Sequence, residues 1–364
     1  MSASLARLSI QKLKAYESAR SLTTEGSIFL DANEAPTSPL SDFPNLNRYP
    51  EPQPKTLVSR LCNIYGIDSS HLMVGRGSDE AIDLLVRVFC ESGKDRILIC
   101  PPTYGMYEIS AQIQGIETLK IPMVFSKTGK ASHPVLDETK ILAAIETGVK
   151  MIFICSPNNP TGTKFESALL TRICVAAVGK SIVVVDEAYA EFSEAESMIS
   201  KIAEFPNLVV LRTLSKAWAI AGARCGVALA QNPLIQLLHK VRAPYPMSAP
   251  AVNTILKSTD SERQDLLRDR VLAIRSERNQ LSAELLKLNC VKSIFPSSTN
   301  FLLIETTDPK AIMQAARAEG MILRDRSSEL GLEGCVRITM GTNSENQRVL
   351  TLFKNFEKST GGRS

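Results

Sequence analysis

The sequence predicts an α/β protein, in which a large domain with a mainly parallel sheet covered by helices is joined to a smaller α+β domain. Three observations carry this expectation. Short, continuously apolar runs such as Met151-Ile152-Phe153-Ile154-Cys155 and Ile182-Val183-Val184-Val185 recur between stretches of helical spacing. Strands that are apolar on both faces need cover on both sides, which is the habit of parallel sheets. After Leu229 the pattern changes to long helical stretches mixed with short strands. The length of 364 residues also exceeds what one core usually holds. The expected division is an N-terminal arm with part of the small domain at 1–45, a large domain at 46–250 and the small domain at 251–364.

Taken in order, the stretch 36–54 is rich in Pro, Ser and Asn and reads as an ordered loop carrying Tyr49. Helical spacing follows at 55–65. Met73-Val74-Gly75-Arg76-Gly77-Ser78-Asp79-Glu80 leads into an apolar-periodic helix at 81–90, with Ser78 as the expected N-cap. Strands are expected at 97–100, 119–124, 151–155, 181–185, 208–211 and 225–230, with helices at 137–146 and 166–178 between them. Pro101-Pro102-Thr103-Tyr104-Gly105-Met106-Tyr107 reads as a turn into a helix. Beyond lie a helix at 232–241 capped by Asn232 and a helical region at 251–288 broken near Thr259. Strands at 291–294 and 300–304, a helix at 309–319, strands at 321–324 and 336–339, and a last helix from Ser344 complete the chain.

Composition narrows the function. Hydrophobic residues make up 44% and charged residues 22%, which suits a soluble globular chain. The net charge of +4 comes without a long basic run, so nucleic-acid binding is not indicated. No apolar stretch approaches the ~18 residues of a membrane span, and the first fifteen residues do not read as a signal peptide. The eight cysteines are scattered and form no CxxC, and the three histidines are far apart. No metal site is therefore expected, and the cysteines suit a reducing, cytoplasmic compartment.

The chemistry concentrates at strand ends, where ligands bind in sheets of this kind. Lys216 stands just past the strand at 208–211 among small and apolar neighbours. Desolvation lowers the pKa of such an amine, and a neutral amine can condense with an aldehyde. A solvated loop lysine is the ordinary alternative. Ser215 and Arg224 flank it with groups suited to a phosphate. Gly75, Gly77 and Ser78 open a helix whose N-terminal amides could hold an anion, or form an ordinary capped helix. Asp186 ends a run of four β-branched residues and is expected to be buried, so it needs a partner. A protonated pyridine nitrogen would serve; a satisfied core carboxylate is the alternative. Tyr189 and Asn159 could bond a ring hydroxyl, and Tyr104 could stack on the ring. Together these are the requirements of a site for pyridoxal 5'-phosphate.

Thr213-Leu214-Ser215-Lys216-Ala217-Trp218-Ala219 with Arg224, Ser156-Pro157-Asn158-Asn159-Pro160-Thr161-Gly162, and Asp186-Glu187-Ala188-Tyr189 resemble the motifs of fold-type-I, class II pyridoxal-phosphate-dependent aminotransferases. Arg48-Tyr49-Pro50, Gly75 to Glu80, the Pro101 turn, Ala243-Pro244-Tyr245-Pro246 and Leu323-Arg324-Asp325 resemble the branch acting on a phosphorylated imidazole amino alcohol with glutamate and 2-oxoglutarate. Trp218 departs from the Phe often found in the family. The resemblance implies that Lys216 carries the cofactor, Asp186 pairs with its ring nitrogen, and Asn159 and Tyr189 bind its ring oxygen. It implies a phosphate cradle of Ser78 and Asp79 amides with Thr213, Ser215 and Arg224. It further implies a homodimer in which Tyr49 reaches the neighbouring subunit's phosphate, and substrate contacts from Tyr16, Asn159, Arg324 and Arg337. Read singly, Arg324 and Arg337 could be surface charges, Tyr16 could pack the arm, and Tyr49 could be an interface aromatic. An aromatic amino-acid transaminase, a threonine-phosphate decarboxylase and a cofactor-binding regulator remain rival readings.

Overall fold

A computed structural model describes residues 2–22, 28–42 and 45–361. Residues 43–44 of the expected 36–54 loop lie outside the described residues. Among the described residues, thirteen strands form two sheets. In chain order they are β1 (Leu72–Gly75), β2 (Arg96–Ile99), β3 (Glu117–Lys120), β4 (Val124–Thr128), β5 (Ala131–Val135), β6 (Met151–Cys155), β7 (Ile182–Asp186), β8 (Leu208–Thr213), β9 (Gly226–Ala230), β10 (Val291–Ile294), β11 (Phe301–Thr306), β12 (Arg324–Asp325) and β13 (Cys335–Thr339).

The first sheet has the order β1-β9-β8-β7-β6-β2-β3. Its pairs are parallel from β8 through β7, β6 and β2 to β3, and β9 alone runs against its neighbours. The mainly parallel sheet expected from the sequence is thus present. Alternation along each strand explains its double cover. Val183, Val185, Leu208 and Val210 face one buried cluster with Ile173 and Leu170 of the helix Ser167–Ala177. Ile182, Val184, Val209 and Leu211 face the other, with Ile82 and Leu85 of the helix Ser78–Phe89.

The second sheet has the order β12-β13-β11-β10-β5-β4 and is antiparallel except where β10 meets β5. Leu302 and Ile304 of β11 pack one face onto Leu281, Leu285, Ile312 and Phe353 of three helices. The helix Ala249–Ser258 ends before Thr259, and the helix Ser261–Leu285 starts two residues later. The break expected near Thr259 is present, and Asp260 caps the second helix by accepting from Arg263 N–H at 3.0 Å.

Four local expectations are corrected. The strand expected at 119–124 does not exist as one element: β3 stops at Lys120, and a hairpin of β4 and β5 follows. That hairpin joins the second sheet although it lies in sequence between strands of the first. Its largely polar residues carry no alternating apolar signal, and Gly129, at φ 57°, makes the turn. The strand expected at 321–324 shrinks to Arg324–Asp325. Gly77, at φ 83°, caps the helix Ser78–Phe89, so Ser78 is its first residue and not its cap. Gln231 likewise precedes the helix Asn232–Val241. The N-terminal segment docks on the first sheet's helical layer, with Arg7 N–H on the Val88 carbonyl at 3.0 Å and its guanidinium paired with Glu91. Among the described residues no helix is long and apolar enough to cross a membrane.

Candidate active site

β6, β7 and β8 lie side by side, so their carboxyl ends open on one place. Asp186 is the last residue of β7, Lys216 stands three residues past β8, and Asn159 stands four past β6. One cavity is lined by Lys216, Asp186, Tyr189, Asn159, Tyr104, Ser78, Asp79, Thr213, Ser215 and Arg224. Every expected cofactor-site residue except Tyr49 therefore meets there. Cys155, Gly77, Ala188 and Ala221 complete the lining.

Adjacent residues of a strand point to opposite faces, and this sorts two neighbouring acids. Glu187 is fully buried away from the cavity, paired with Arg212 at 3.3 Å and bonded by Ser197. Asp186 faces the cavity at 2% exposure. Its Oδ2 accepts from the Tyr107 hydroxyl at 2.7 Å and its Oδ1 from Ala188 N–H at 3.1 Å. Burial pushes this carboxyl up to about 6, against the two hydrogen bonds, which favour its ionised form.

Lys216 directs its amine into the cavity, with Nζ 5.5 Å from the Tyr189 ring centre. Desolvation, then the charge of Arg337, lowers its pKa below the ordinary lysine range, while Asp79 and Asp186 act the other way. Tyr189 packs its ring edge-on to Phe301 at 5.4 Å, and burial raises its phenol pKa. Arg337 of β13 donates to Asn159 Oδ1 and lies 5.3 Å from the Phe301 ring. That bond ties the second sheet to the loop after β6.

At the other end of the cavity two glycines let backbone segments converge. A Cβ on Gly226 of β9 would stand 2.3 Å from Ser78 N, and one on Gly77 would stand 2.8 Å from Arg224 Nη2. Ser78 and Asp79 lie in the first helical turn, where N–H groups lack an acceptor inside the helix. Thr213 Oγ1 accepts from Ser215 N–H at 3.1 Å, and the two side-chain oxygens are 3.0 Å apart. Arg224 reaches Asp79 Oδ2 at 3.3 Å, and Tyr104 donates to Asp79 Oδ1 at 2.9 Å. Amides, hydroxyls and a guanidinium thus face a single spot, the donor set a phosphate requires. With the amine of Lys216, the buried carboxylate of Asp186 and the aromatic wall of Tyr104, the residues fit pyridoxal phosphate.

Four expected residues do not line this cavity: Arg337 meets it only through Asn159, and three stand further away. Tyr49 is half exposed outside the cavity, stacked on Tyr245 at 4.4 Å, with its N–H on Glu34 at 2.7 Å. Tyr16 is 75% exposed and does not line the cavity. Arg324 is exposed and sits directly across the β12–β13 pair from Arg337. Sequence reasoning missed Tyr107 as a partner of Asp186 and Asp79 as the anchor of Tyr104 and Arg224. Tyr107 lies in the first turn of the helix Met106–Ile113, three residues after Tyr104, and meets its ring edge-on at 5.6 Å.

The family pattern of the class I and II aminotransferases matches residues 21–353. A histidinol-phosphate aminotransferase of Buchnera aphidicola subsp. Schizaphis graminum is 43% identical, over 97% of this chain and 98% of that one. The structure is similar to that of histidinol-phosphate aminotransferase from Clostridium acetobutylicum, with a TM-score of 0.77 and 23% identity over 86% of this chain and 92% of that one. It is also similar to the Sinorhizobium meliloti histidinol-phosphate aminotransferase solved with pyridoxal-5'-phosphate, at a TM-score of 0.75 and 22% identity over 86% and 83% of the two chains. With a match over nearly its whole length, and with Asn159, Asp186 and Lys216 gathered past the ends of three parallel strands, this chain belongs to the aminotransferase class I and II family.

Proposed function

We propose that this chain is a pyridoxal-phosphate-dependent histidinol-phosphate aminotransferase. It moves an amino group between L-histidinol phosphate and 2-oxoglutarate on one side and imidazole-acetol phosphate and L-glutamate on the other, a step of L-histidine biosynthesis. The observation that carries the reading is the convergence of Lys216, Asp186 and the Ser78–Arg224 cradle on one cavity in a chain so similar over its full length to a histidinol-phosphate aminotransferase.

When bound, pyridoxal phosphate supplies an aldehyde and an electron-poor ring that stabilises negative charge on the substrate carbon. Lys216 would offer it an amine whose pKa desolvation and the charge of Arg337 lower, which favours the nucleophilic neutral form. With cofactor and substrate bound, Nζ of Lys216 would take and hold the proton from the carbon bearing the amino group. Asp186 anchors the ring nitrogen, Asn159 and Tyr189 orient the ring oxygen, and Tyr104 covers one face. The amides of Ser78 and Asp79, with Thr213, Ser215 and Arg224, hold the phosphate.

Arg337 contacts the substrate's anionic end, since its planar fork suits phosphate and carboxylate alike. Arg324 and Tyr16 add contacts that favour the phosphate. Segment 46–250 carries the cofactor, while 251–364 and the arm at 1–45 close over the substrate. The working unit is a cytoplasmic homodimer in which Tyr49 reaches the neighbouring subunit's phosphate. Its half-exposed ring outside its own cavity supports that reading.

A coupled assay with glutamate and each acceptor in turn tests the assignment. Turnover with imidazole-acetol phosphate well above that with aromatic oxo acids, without release of carbon dioxide from threonine phosphate, is expected. The reverse order would give the chain to one of the rival activities. Sedimentation as an active monomer would remove the role of Tyr49 across an interface.

A further inference from the structure

We propose that Tyr107 is a positioning residue for Asp186: its hydroxyl, donating to Asp186 Oδ2, keeps the shared proton on the nitrogen of the bound pyridine ring and off the carboxylate. The inference rests on the cofactor assignment above.

The geometry is specific. The Tyr107 side chain is wholly buried, its ring is stacked on Phe153 at 4.8 Å with 9° between planes, and it meets Tyr104 edge-on at 5.6 Å. The ring is therefore fixed with its hydroxyl 2.7 Å from Oδ2, and the Cys155 thiol is its other hydrogen-bonding neighbour. Burial and the Asp186 charge raise the phenol well above its ordinary pKa, so Tyr107 stays a neutral donor. A carboxylate oxygen has two lone pairs. Tyr107 takes one on Oδ2 and Ala188 N–H one on Oδ1, which leaves room on the carboxylate for the ring.

A proton between Asp186 and a pyridine nitrogen sits on the more basic of the two. Burial favours the uncharged arrangement, with the proton on Asp186 and a neutral ring. Donors to the carboxylate favour the charged arrangement, with the proton on the ring. The remaining groups that face Asp186 divide: Lys216 favours its ionised form and Asp79 opposes it. Cys155 on β6 and Tyr104 and Tyr189 on the other walls are thiol and phenols raised above their ordinary ranges, so none brings a full charge. Of the two donors on Asp186, only Tyr107 is a side chain. No proton enters or leaves in this exchange; it moves from one atom of the pair to the other, so a change of buffer pH does not restore it.

The test loads the wild type and Tyr107→Phe with cofactor carrying 15N at the ring nitrogen and records the ring-nitrogen chemical shift. The wild type should show the pyridinium position. Tyr107→Phe, which removes one oxygen and keeps the stacked ring, should move toward neutral pyridine while still binding cofactor. Its kcat should fall about tenfold to a hundredfold, the range for a lost bond to a charged group, with KM for glutamate little changed. Should the Phe variant fold poorly, 3-fluorotyrosine at position 107 keeps the shape and donates more strongly, and its shift should stay at pyridinium or move further that way. An unchanged pyridinium shift in Tyr107→Phe, or a fluorotyrosine shift toward neutral pyridine, overturns the role and leaves Tyr107 a packing residue. A neutral ring in the wild type would instead overturn the assignment of Asp186 itself.

Discussion

Gly226→Ala isolates the close approach on which the proposed phosphate cradle depends. The new Cβ would lie 2.3 Å from Ser78 N, 2.4 Å from Gly77 C and 2.9 Å from Gly77 Cα, all backbone atoms. Carbon contacts settle at about 3.5–4.0 Å, so something must move by roughly an ångström. β9 cannot yield easily, because Gly226 pairs with Gly75 on one side and Thr213 on the other. The helix Ser78–Phe89 must therefore shift at its N-terminus, carrying the Ser78 and Asp79 amides away from Thr213, Ser215 and Arg224. Overpacking of this kind costs about 1–3 kcal/mol of stability. Loss of one or two bonds to a phosphate costs about 1.5–3 kcal/mol each, at least tenfold in cofactor affinity. Titrating the apoprotein with pyridoxal phosphate and separately with pyridoxal resolves the two effects. The variant should lose most of its preference for the phosphorylated form while binding pyridoxal nearly as before. Gly222→Ala, where an added Cβ meets nothing within 4 Å, serves as the control. If Gly226→Ala keeps a wild-type Kd and the full phosphate preference, the approach of β9 does not set the cradle.

Other expectations are more direct. Borohydride reduction of the holoenzyme should fix the cofactor to Lys216, and Lys216→Ala should lose turnover by many orders of magnitude; an adduct mapped to another lysine contradicts the site. Arg337→Ala should slow both half-reactions about tenfold to a hundredfold. Arg324→Ala and Tyr16→Phe should slow the histidinol-phosphate half more than the glutamate half; equal losses in single-turnover measurements would end that division. His239 accepts from Arg242 at 3.1 Å, and burial lowers its pKa from 6.5 to about 4. Below pH 6.5 the unfolded chain binds the proton first, so stability should decline as pH falls from 6.5 toward 4. His239→Gln should flatten that limb in denaturant titrations, and an unaltered slope would assign it to other groups.

How much of this was legible in the sequence follows from the range of the interactions involved. β7 and β8 announce themselves because residues on both faces of a covered strand must be apolar, a rule that five or six neighbours satisfy by themselves. Asp186 and Lys216 stand out against those runs because a charged group at the end of a buried strand needs a partner. The hairpin of β4 and β5 gave no such sign. Its residues are mostly polar, and it exists because β10, over 150 residues away in sequence, supplies the edge that β5 joins. Tyr107 was hidden for a related reason: nothing within its own helix shows that its hydroxyl ends on a strand 79 residues later. The cap of the helix Ser78–Phe89 was misplaced by a single residue. Ser78 has the right chemistry, but the cap falls at Gly77, whose positive φ of 83° favours glycine and where an added Cβ would stand 2.8 Å from Arg224 Nη2.

The same distinction separates the two kinds of residue at the site. Lys216, Asp186, Asn159 and Thr213 belong to loops or ends of adjacent strands, and their meeting follows once the strand order is known. Tyr16 and Tyr49 belong to an arm and loop whose internal order comes from a buried ion cluster, in which Glu34 accepts from Arg20, Arg48 and the Tyr49 amide. That cluster fixes the loop's shape without turning either tyrosine toward the cavity of its own chain. Both rings are left exposed on the chain taken alone. Strand order alone therefore accounts for the residues gathered in the cavity, whereas Tyr16 and Tyr49, placed by the arm and its ion cluster, stand outside it.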